Sequence, residues 1–447
     1  MNKQHKVLAA LAASALLIIA AVVVFGGGEE PGGGDEKSTD VAEWTSLMWM
    51  CGEGDLGEWN MMLCNLHFLE MVPDNEKVNV IIILDKEEEG DTRLLELEQN
   101  GSKELNLTDI DPEWTDGELN TGDGDQLLEF LKWGADNYPA KRYNVHLANH
   151  GGGWRGICWD VLSNDHLDLP ETGRTLDAFK EHIGKNVEVL STEACLVGMV
   201  EFAYEISSSC NYFVAGSTYG WGAEAEPEND VWEPGNWQYD ECWRELSSYP
   251  EMTGEEFALT MGDTFMPYGP WRAPPYIPKE GYSDVFGVFN LSNVEPLVRS
   301  LDLLASELIP KVTGFGQTVN QALLINTVIG HPEYQNSELY TEYFSHQMEW
   351  IGYNAVYTNY DVYDLAYQLS KATAGTLRSS HAQSIMDAVD ELILMYRRTL
   401  DDGGHPDAHG VSIYLPYRSS SYMPAYEDIQ FAKDTQWDEF ISAVHWT

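Results

Sequence analysis

Two short segments carry residues that together could break a peptide bond. One is a histidine followed by three glycines, His150, Gly151, Gly152 and Gly153; the other is Glu193, Ala194 and Cys195. A thiol becomes a good nucleophile near neutral pH when a neighbouring imidazole takes its proton. A His and a Cys brought together therefore make an acyl-transfer pair, with Cys195 as nucleophile and His150 as general base. Glycines after the histidine clear side chains from the path of a substrate carbonyl, and backbone amides at Gly151 and Gly152 could then stabilise the oxyanion of a tetrahedral intermediate. On residue types alone the pair competes with plainer roles, since a buried cysteine is commonly a small hydrophobe and an isolated histidine is commonly structural.

Both residues end segments that read as strands. YNVHLANH (143–150) runs into the glycines, and VEVLSTEAC (187–195) runs towards a helix expected from about Gly198, whose positive end would favour a thiolate at Cys195. WTSLMWM (44–50), VNVIIILD (78–85) and YFVAGST (212–218) have the same apolar form, with helical stretches at 56–71, 125–138 and 176–183. RLLELEQ and KELNL flank Asn100, Gly101 and Ser102 as an edge hairpin. Strand, crossover and strand imply parallel neighbours whose carboxyl ends share one edge, the edge at which open α/β sheets bind ligands. The expected class is α/β, a mostly parallel central sheet flanked by helices with further helices towards the C-terminus. FGVFNL (286–291) and GVSIYLP (410–416) read as strands, and 294–308 and 383–398 as long helices. One catalytic domain would cover 44–447, with a C-terminal subdomain from about 250 as the alternative.

With 43% hydrophobic residues in 447 the chain can bury a large core and is not a disordered protein. Against 25 Lys and Arg stand 73 Asp and Glu, so a net charge of -48 repels nucleic acid and anionic lipid and favours a cationic substrate, although solvated surface accounts for most of these carboxylates. Residues 7–25, VLAALAASALLIIAAVVVF, follow Lys3 and Lys6 and have about the length that spans a bilayer. Residues 1–25 thus read as a signal-anchor or a cleaved signal peptide. The acidic residues after them (Glu29, Glu30, Asp35, Glu36) put the rest outside the cytoplasm, either on the extracellular face of the membrane or secreted. Residues 26–43 form a Gly- and acid-rich tether. The six cysteines include no CxxC pair, which argues against a thiolate zinc site, and the chain sets no bridge pattern. No cofactor is required, and a monomer is expected. Calcium has hard oxygen ligands on offer in Asp123, Asp125, Asp160, Asp165 and Asp168, without EF-hand spacing. His146 could pair with His150 on a metal but lacks a third ligand, and Cys158 competes with Cys195 but lacks its strand-end setting.

LANHGGGW (147–154) and STEACLVGMVE (191–201) resemble the paired signatures of the clostripain family of cysteine peptidases. MWMCGEGDL (48–56), VNVIIILD, YPAKRYNV, PGNWQYD (234–240) and GVSIYLP resemble further family segments, so the likeness runs from about 44 to 416. It implies an endopeptidase on a caspase-like three-layer fold, related to gingipain and legumain, with a dyad carried over as Cys195 and His150 and no obligatory third member. It also implies cleavage after Arg or Lys in protein or peptide substrates. The pocket acid two positions before the nucleophile is here Glu193, where Asp is usual. The long loop 215–237 offers Glu224 and Glu226, with Glu228 and Asp230, for a second pocket carboxylate. Activation by cleavage between the two signatures would fall at Arg155 or Arg174. Two rival readings are a peptidase-like surface protein that binds cationic peptides without cleaving them, and a transpeptidase or ligase on the same fold.

Overall fold

Apolar side chains at successive positions suit a strand covered on both faces, and VNVIIILD is one. In the computed structural model, which describes residues 41–218, 220, 222–265, 285–312, 359–372, 377–398, 408–416 and 422–445, this segment is strand β2 (Val78–Asp85), beside β1 (Ala42–Cys51). The uncharged segment 7–25 and the tether to residue 40 lie outside the described residues. Among the described residues no helix is long and apolar enough to cross a membrane.

The other strands are β3 (Arg93–Glu98), β4 (Gly101–Leu105), β5 (Ala140–Ala148), β6 (Ile157–Asp160), β7 (Asp165–Leu167), β8 (Val187–Glu193), β9 (Cys210–Gly216), β10 (Glu224–Glu226), β11 (Val231–Glu233), β12 (Val285–Asn290), β13 (Asn359–Asp361), β14 (Ile393–Arg398) and β15 (Ser412–Tyr414). Among the described residues nine of them form one sheet, in the order β14-β12-β9-β8-β5-β1-β2-β3-β4. The five central strands, from β9 to β2, are parallel, and antiparallel pairs close both edges. The chain goes from β1 outwards to β2 and later returns to the other side of β1 with β5, so the order reverses between β1 and β5.

Helices are α1 (Asp55–Glu58), α2 (Met61–Leu69), α3 (Gly124–Asn137), α4 (Leu169–Ile183), α5 (Val200–Ile206), α6 (Tyr239–Ser248), α7 (Gly254–Thr264), α8 (Val294–Val312), α9 (Val362–Ala372), α10 (Leu377–Leu392), α11 (Gln430–Asp434) and α12 (Trp437–His445). Period-two alternation splits the sheet's side chains between two cores. Trp49, Val145, Leu190 and Phe213 face Phe130 of α3, Phe179 of α4, Phe202 of α5 and Leu301 of α8. Met48, Ile82, Val189 and Val214 face Leu66 of α2, Trp243 of α6 and Phe257 of α7. Each such buried side chain contributes about 1.5–3 kcal/mol, so the two cores fix the sheet between helical layers. This is the three-layer α/β class expected from the strand pattern.

Three local expectations change. The helical stretch at 56–71 is broken at Asn60, which takes a left-handed conformation (φ 50°) between α1 and α2. The helix expected over 383–398 stops at Leu392. Beyond it Ile393 is buried, Leu394 exposed, Met395 half-buried and Tyr396 exposed, and this alternation makes edge strand β14 instead. GVSIYLP does form a strand, but β15 pairs with β13 in a separate two-stranded sheet. Its Ser412 amide donates to Gly198 O (3.0 Å), tying it to the loop after Cys195. Strands β12 and β14, from beyond residue 250, join the same sheet as the first half.

Candidate active site

Parallel pairing of β5 with β8 sets Ala148 opposite Glu193, and two residues further the same register brings His150 level with Cys195. The Asn149 amide continues the ladder to Glu193 O (3.2 Å). The two strand ends approach so closely that a Cβ on Gly151 would lie 2.0 Å from Cys195 O and 2.9 Å from Cys195 N. Only glycine fits there. The buried Asn149 side chain locks the turn, donating to Cys51 O (2.7 Å) and accepting from the Trp159 amide (2.7 Å).

Across the point where strand order reverses, β1 passes through Gly54 (φ 66°) into α1 and delivers Asp55. His150 Nε2 lies 2.7 Å from Asp55 Oδ1. Burial alone would push the Asp55 carboxyl up, but the hydrogen bond and charge of His150, with the Asp55 and Leu56 amides, outweigh it and hold the carboxyl below its ordinary value. A carboxylate that accepts from Nε2–H leaves Nδ1 as the basic nitrogen of the neutral ring. Of the six cysteines, Cys195 is half-buried and the other five are buried. Gly220 N donates to its Sγ at 3.4 Å, a contact that favours negative charge on sulfur. Leu196, directly after it, is buried with φ 65°, held by Leu196 N to Thr218 O (2.9 Å). A non-glycine residue in that region is strained, and such strain concentrates where a side chain must be presented.

A sequence profile of the Clostripain family of peptidases matches residues 48–446. The chain belongs to that family. Clostripain from Hathewaya histolytica is 25% identical over 395 residues, covering 79% of this chain and 71% of that protein. Among solved structures the fold resembles an inactive zymogen C11 protease from Parabacteroides distasonis (16% identity, TM-score 0.58, 89% of this chain and 99% of the other). It also resembles a secreted C11 cysteine protease from Bacteroides thetaiotaomicron in complex with an irreversible peptide inhibitor (16% identity, TM-score 0.53, 91% and 100%). The protein is thus a cysteine endopeptidase of the clostripain family with the expected caspase-like architecture.

Other residues of the clostripain-like signatures sit differently from what their types suggest. The Gly152 amide donates to Gly156 O (2.9 Å) and is not directed at a substrate, and a Cβ there would meet the Trp159 ring at 2.4 Å. Packing against Trp159 is what requires glycine at this position. The helix after Cys195 starts at Val200, within two residues of the expected start. Its first turn holds the buried Glu201, which accepts from Tyr414 N (2.8 Å) and Tyr426 OH (2.9 Å). Glu193 is buried on the α2 and α6 side, where its Oε2 accepts from Asn65 Nδ2 (2.7 Å) and Tyr239 OH (2.5 Å). Glu224 and Glu226 are exposed on β10, and Glu226 accepts from Asn229 Nδ2 (2.8 Å). The half-buried Glu233, opposite Glu224 on β11, was not singled out. Burial pushes the Cys64 thiol up to about 12, and the charges of both Glu193 and Glu233 add to this, so Glu233 lies within electrostatic reach of the same buried region. Hairpin pairing, which composition does not show, would have pointed to it.

Arg155 is buried in a 3-10 turn, and Arg174 is exposed midway along α4, which begins at Leu169. Neither backbone is extended, the form in which a peptidase binds its substrate. Four of the five carboxylates considered for calcium, all but Asp125, have local partners. Asp123 and Asp168 cap α3 and α4, Asp160 accepts from Thr121 N (2.7 Å) and Ser163 N (2.6 Å), and Asp165 accepts from Asn120 Nδ2 (2.8 Å). Among the described residues no three His, Cys, Asp or Glu side chains converge on one metal position. Cys158 is fully buried.

Proposed function

We propose that Cys195 and His150 are the dyad of an endopeptidase that cleaves after Arg or Lys. The observation that carries this is the β5–β8 register, which supports placing the imidazole beside the thiol at the carboxyl edge of the sheet. Nδ1 takes the Cys195 proton, and the thiolate attacks the carbonyl carbon of the residue whose side chain enters the Glu193 pocket. The Cys195 and Gly151 amides are the nearest donors for the oxyanion. The Nδ1 proton then passes to the leaving amine as the C–N bond breaks, and water, deprotonated by the same nitrogen, releases the acyl-enzyme. The buried Glu193 and the net charge of -48 support a basic residue at the cleaved bond. The N-terminal apolar segment supports action outside the cytoplasm, either anchored or secreted.

The test is turnover of fluorogenic peptides with Arg, Lys, Asp or Ala at the cleaved bond by the full chain, beside Cys195→Ala and Glu193→Gln. Turnover of Arg or Lys peptides that is lost in Cys195→Ala is expected. No turnover of any peptide would favour a binding protein, and capture of an added amine would favour a transpeptidase.

A further inference from the structure

A chain of hydrogen bonds crosses the sheet behind Cys195 and ends on Glu193. Ser46, Asn144, His146, Ser191 and Glu193 occupy alternate positions of β1, β5 and β8, on the face covered by α2 and α6. Trp243 Nε1 donates to Ser46 Oγ (3.2 Å), which donates to Asn144 Oδ1 (2.6 Å). Asn144 Nδ2 donates to Ser191 Oγ (3.1 Å), Ser191 Oγ meets His146 Nδ1 (2.9 Å), and His146 Nε2 meets Tyr239 OH (2.8 Å). The Tyr239 hydroxyl has one proton and gives it to Glu193 Oε2 (2.5 Å), so His146 must donate from Nε2 and accept at Nδ1. Burial pushes the His146 pKa down to about 3, which keeps that ring neutral.

At the end of this chain Glu193 Oε1 is buried and has no hydrogen-bond partner among the described residues. Among the described residues, the groups that meet Glu193 are Asn65 from α2 and Tyr239 from α6 with His146 of β5 behind it, and the Cys64 thiol of α2 feels the charges of both Glu193 and Glu233. None carries a positive charge. A buried carboxyl in such a place either keeps a proton or receives a cation.

We propose that Tyr239, backed by His146, is the positioning residue of the specificity pocket: it holds Glu193 so that Oε1 receives a guanidinium or ammonium, which replaces a proton that Glu193 carries when the pocket is empty. The inference rests on the reading of Glu193 as the pocket acid. Only the O–H bond of Glu193 breaks, and the proton leaves to solvent. Burial pushes the Glu193 pKa up to about 8 against the pull of Tyr239 and Asn65, so the empty pocket is mainly neutral at pH 7.

The experiment uses the Cys195→Ala chain, titrated calorimetrically at pH 7, in two buffers of different ionisation enthalpy, with peptides that place arginine or norleucine in the pocket. Arginine is expected to release about 0.9 proton and norleucine about none. In the same background Tyr239→Phe, which keeps the ring, is expected to lower the arginine-to-norleucine affinity ratio about tenfold by removing a charge-assisted hydrogen bond. Proton release below about 0.2 with arginine overturns the exchange. An unchanged ratio in a folded Tyr239→Phe overturns the positioning role. Should Tyr239→Phe not fold, His146→Gln, which shortens the chain behind Tyr239, takes the same test and the same reading. Retention of Arg and Lys preference by the active Glu193→Gln enzyme would instead overturn the pocket assignment itself.

Discussion

His150 Nε2 and Asp55 Oδ1 stand 2.7 Å apart across the reversal of strand order between β1 and β5. The bond selects the tautomer that leaves Nδ1 basic. The clostripain resemblance implies a dyad with no obligatory third member, and in this fold the carboxylate of Asp55 is the partner of the His150 ring. Asp55→Asn is expected to leave the chain folded and lower kcat about 10- to 100-fold, since orientation of the base and support of its charged form are both weakened. Iodoacetamide alkylation of Cys195 across pH checks it independently of substrate. An unchanged kcat and unchanged alkylation profile would make Asp55 a structural neighbour only.

Gly151 is a packing constraint at the meeting point of the two strands. Gly151→Ala would drive a Cβ to 2.0 Å from the Cys195 carbonyl oxygen, a backbone atom that cannot swing aside. The variant is expected to lose at least about 100-fold in kcat and about 1–3 kcal/mol of stability. Thermal unfolding and peptide turnover measure the two effects. Wild-type behaviour in both would mean that the strand ends do not meet in this way.

Self-processing at Arg174 is not expected, because the bond after it lies inside α4. Arg174→Gln should leave both the band pattern on denaturing gels and the turnover of peptides unchanged. Conversion of a wild-type single band into two fragments, with the variant resistant, would require α4 to unwind and would contradict this.

Four buried carboxyls set the pH dependence of stability. Burial pushes Glu53, Asp85 and Glu193 up to about 8 and Glu201 to about 7, with the charge of Asp160 adding to the rise at Glu53. A carboxyl whose folded pKa exceeds its unfolded value contributes stability in full below the unfolded pKa, and that contribution is lost as pH rises through the folded pKa. Asp55 has the opposite sign, with stability lost as pH falls. The raised carboxyls outnumber the lowered ones (Asp55, Glu43 and Glu256), and with self-repulsion from a net charge of -48 also growing with pH this predicts a Tm at pH 5.5 above that at pH 8.5 by roughly 5 °C or more. A Tm that rises with pH at constant ionic strength would show that these carboxyls are ionised in the fold.

Neighbours along the chain were legible from residue order alone. The apolar runs of β2, β5, β8 and β9 announce buried strands, because a strand covered on both faces needs such side chains at successive positions. His150 and Cys195 stand out because strand ends and short motifs are local features. Glu193, two residues before Cys195, is singled out only by the clostripain resemblance. What required tertiary structure was every relation that spans a crossover. Asp55 at the start of α1 meets His150, Tyr239 of α6 meets Glu193 of β8, and Glu233, paired with Glu224 in a hairpin, reaches Cys64 of α2. The Gly152 amide bonds to Gly156, and the residues 393–398 pair with β12 as a strand, although their order in the chain continues a helical pattern. Residue spacing encodes geometry over a few ångströms of backbone. The register between distant strands and the packing of side chains depend on which surfaces the cores bring together, and these decide which partner each polar group receives.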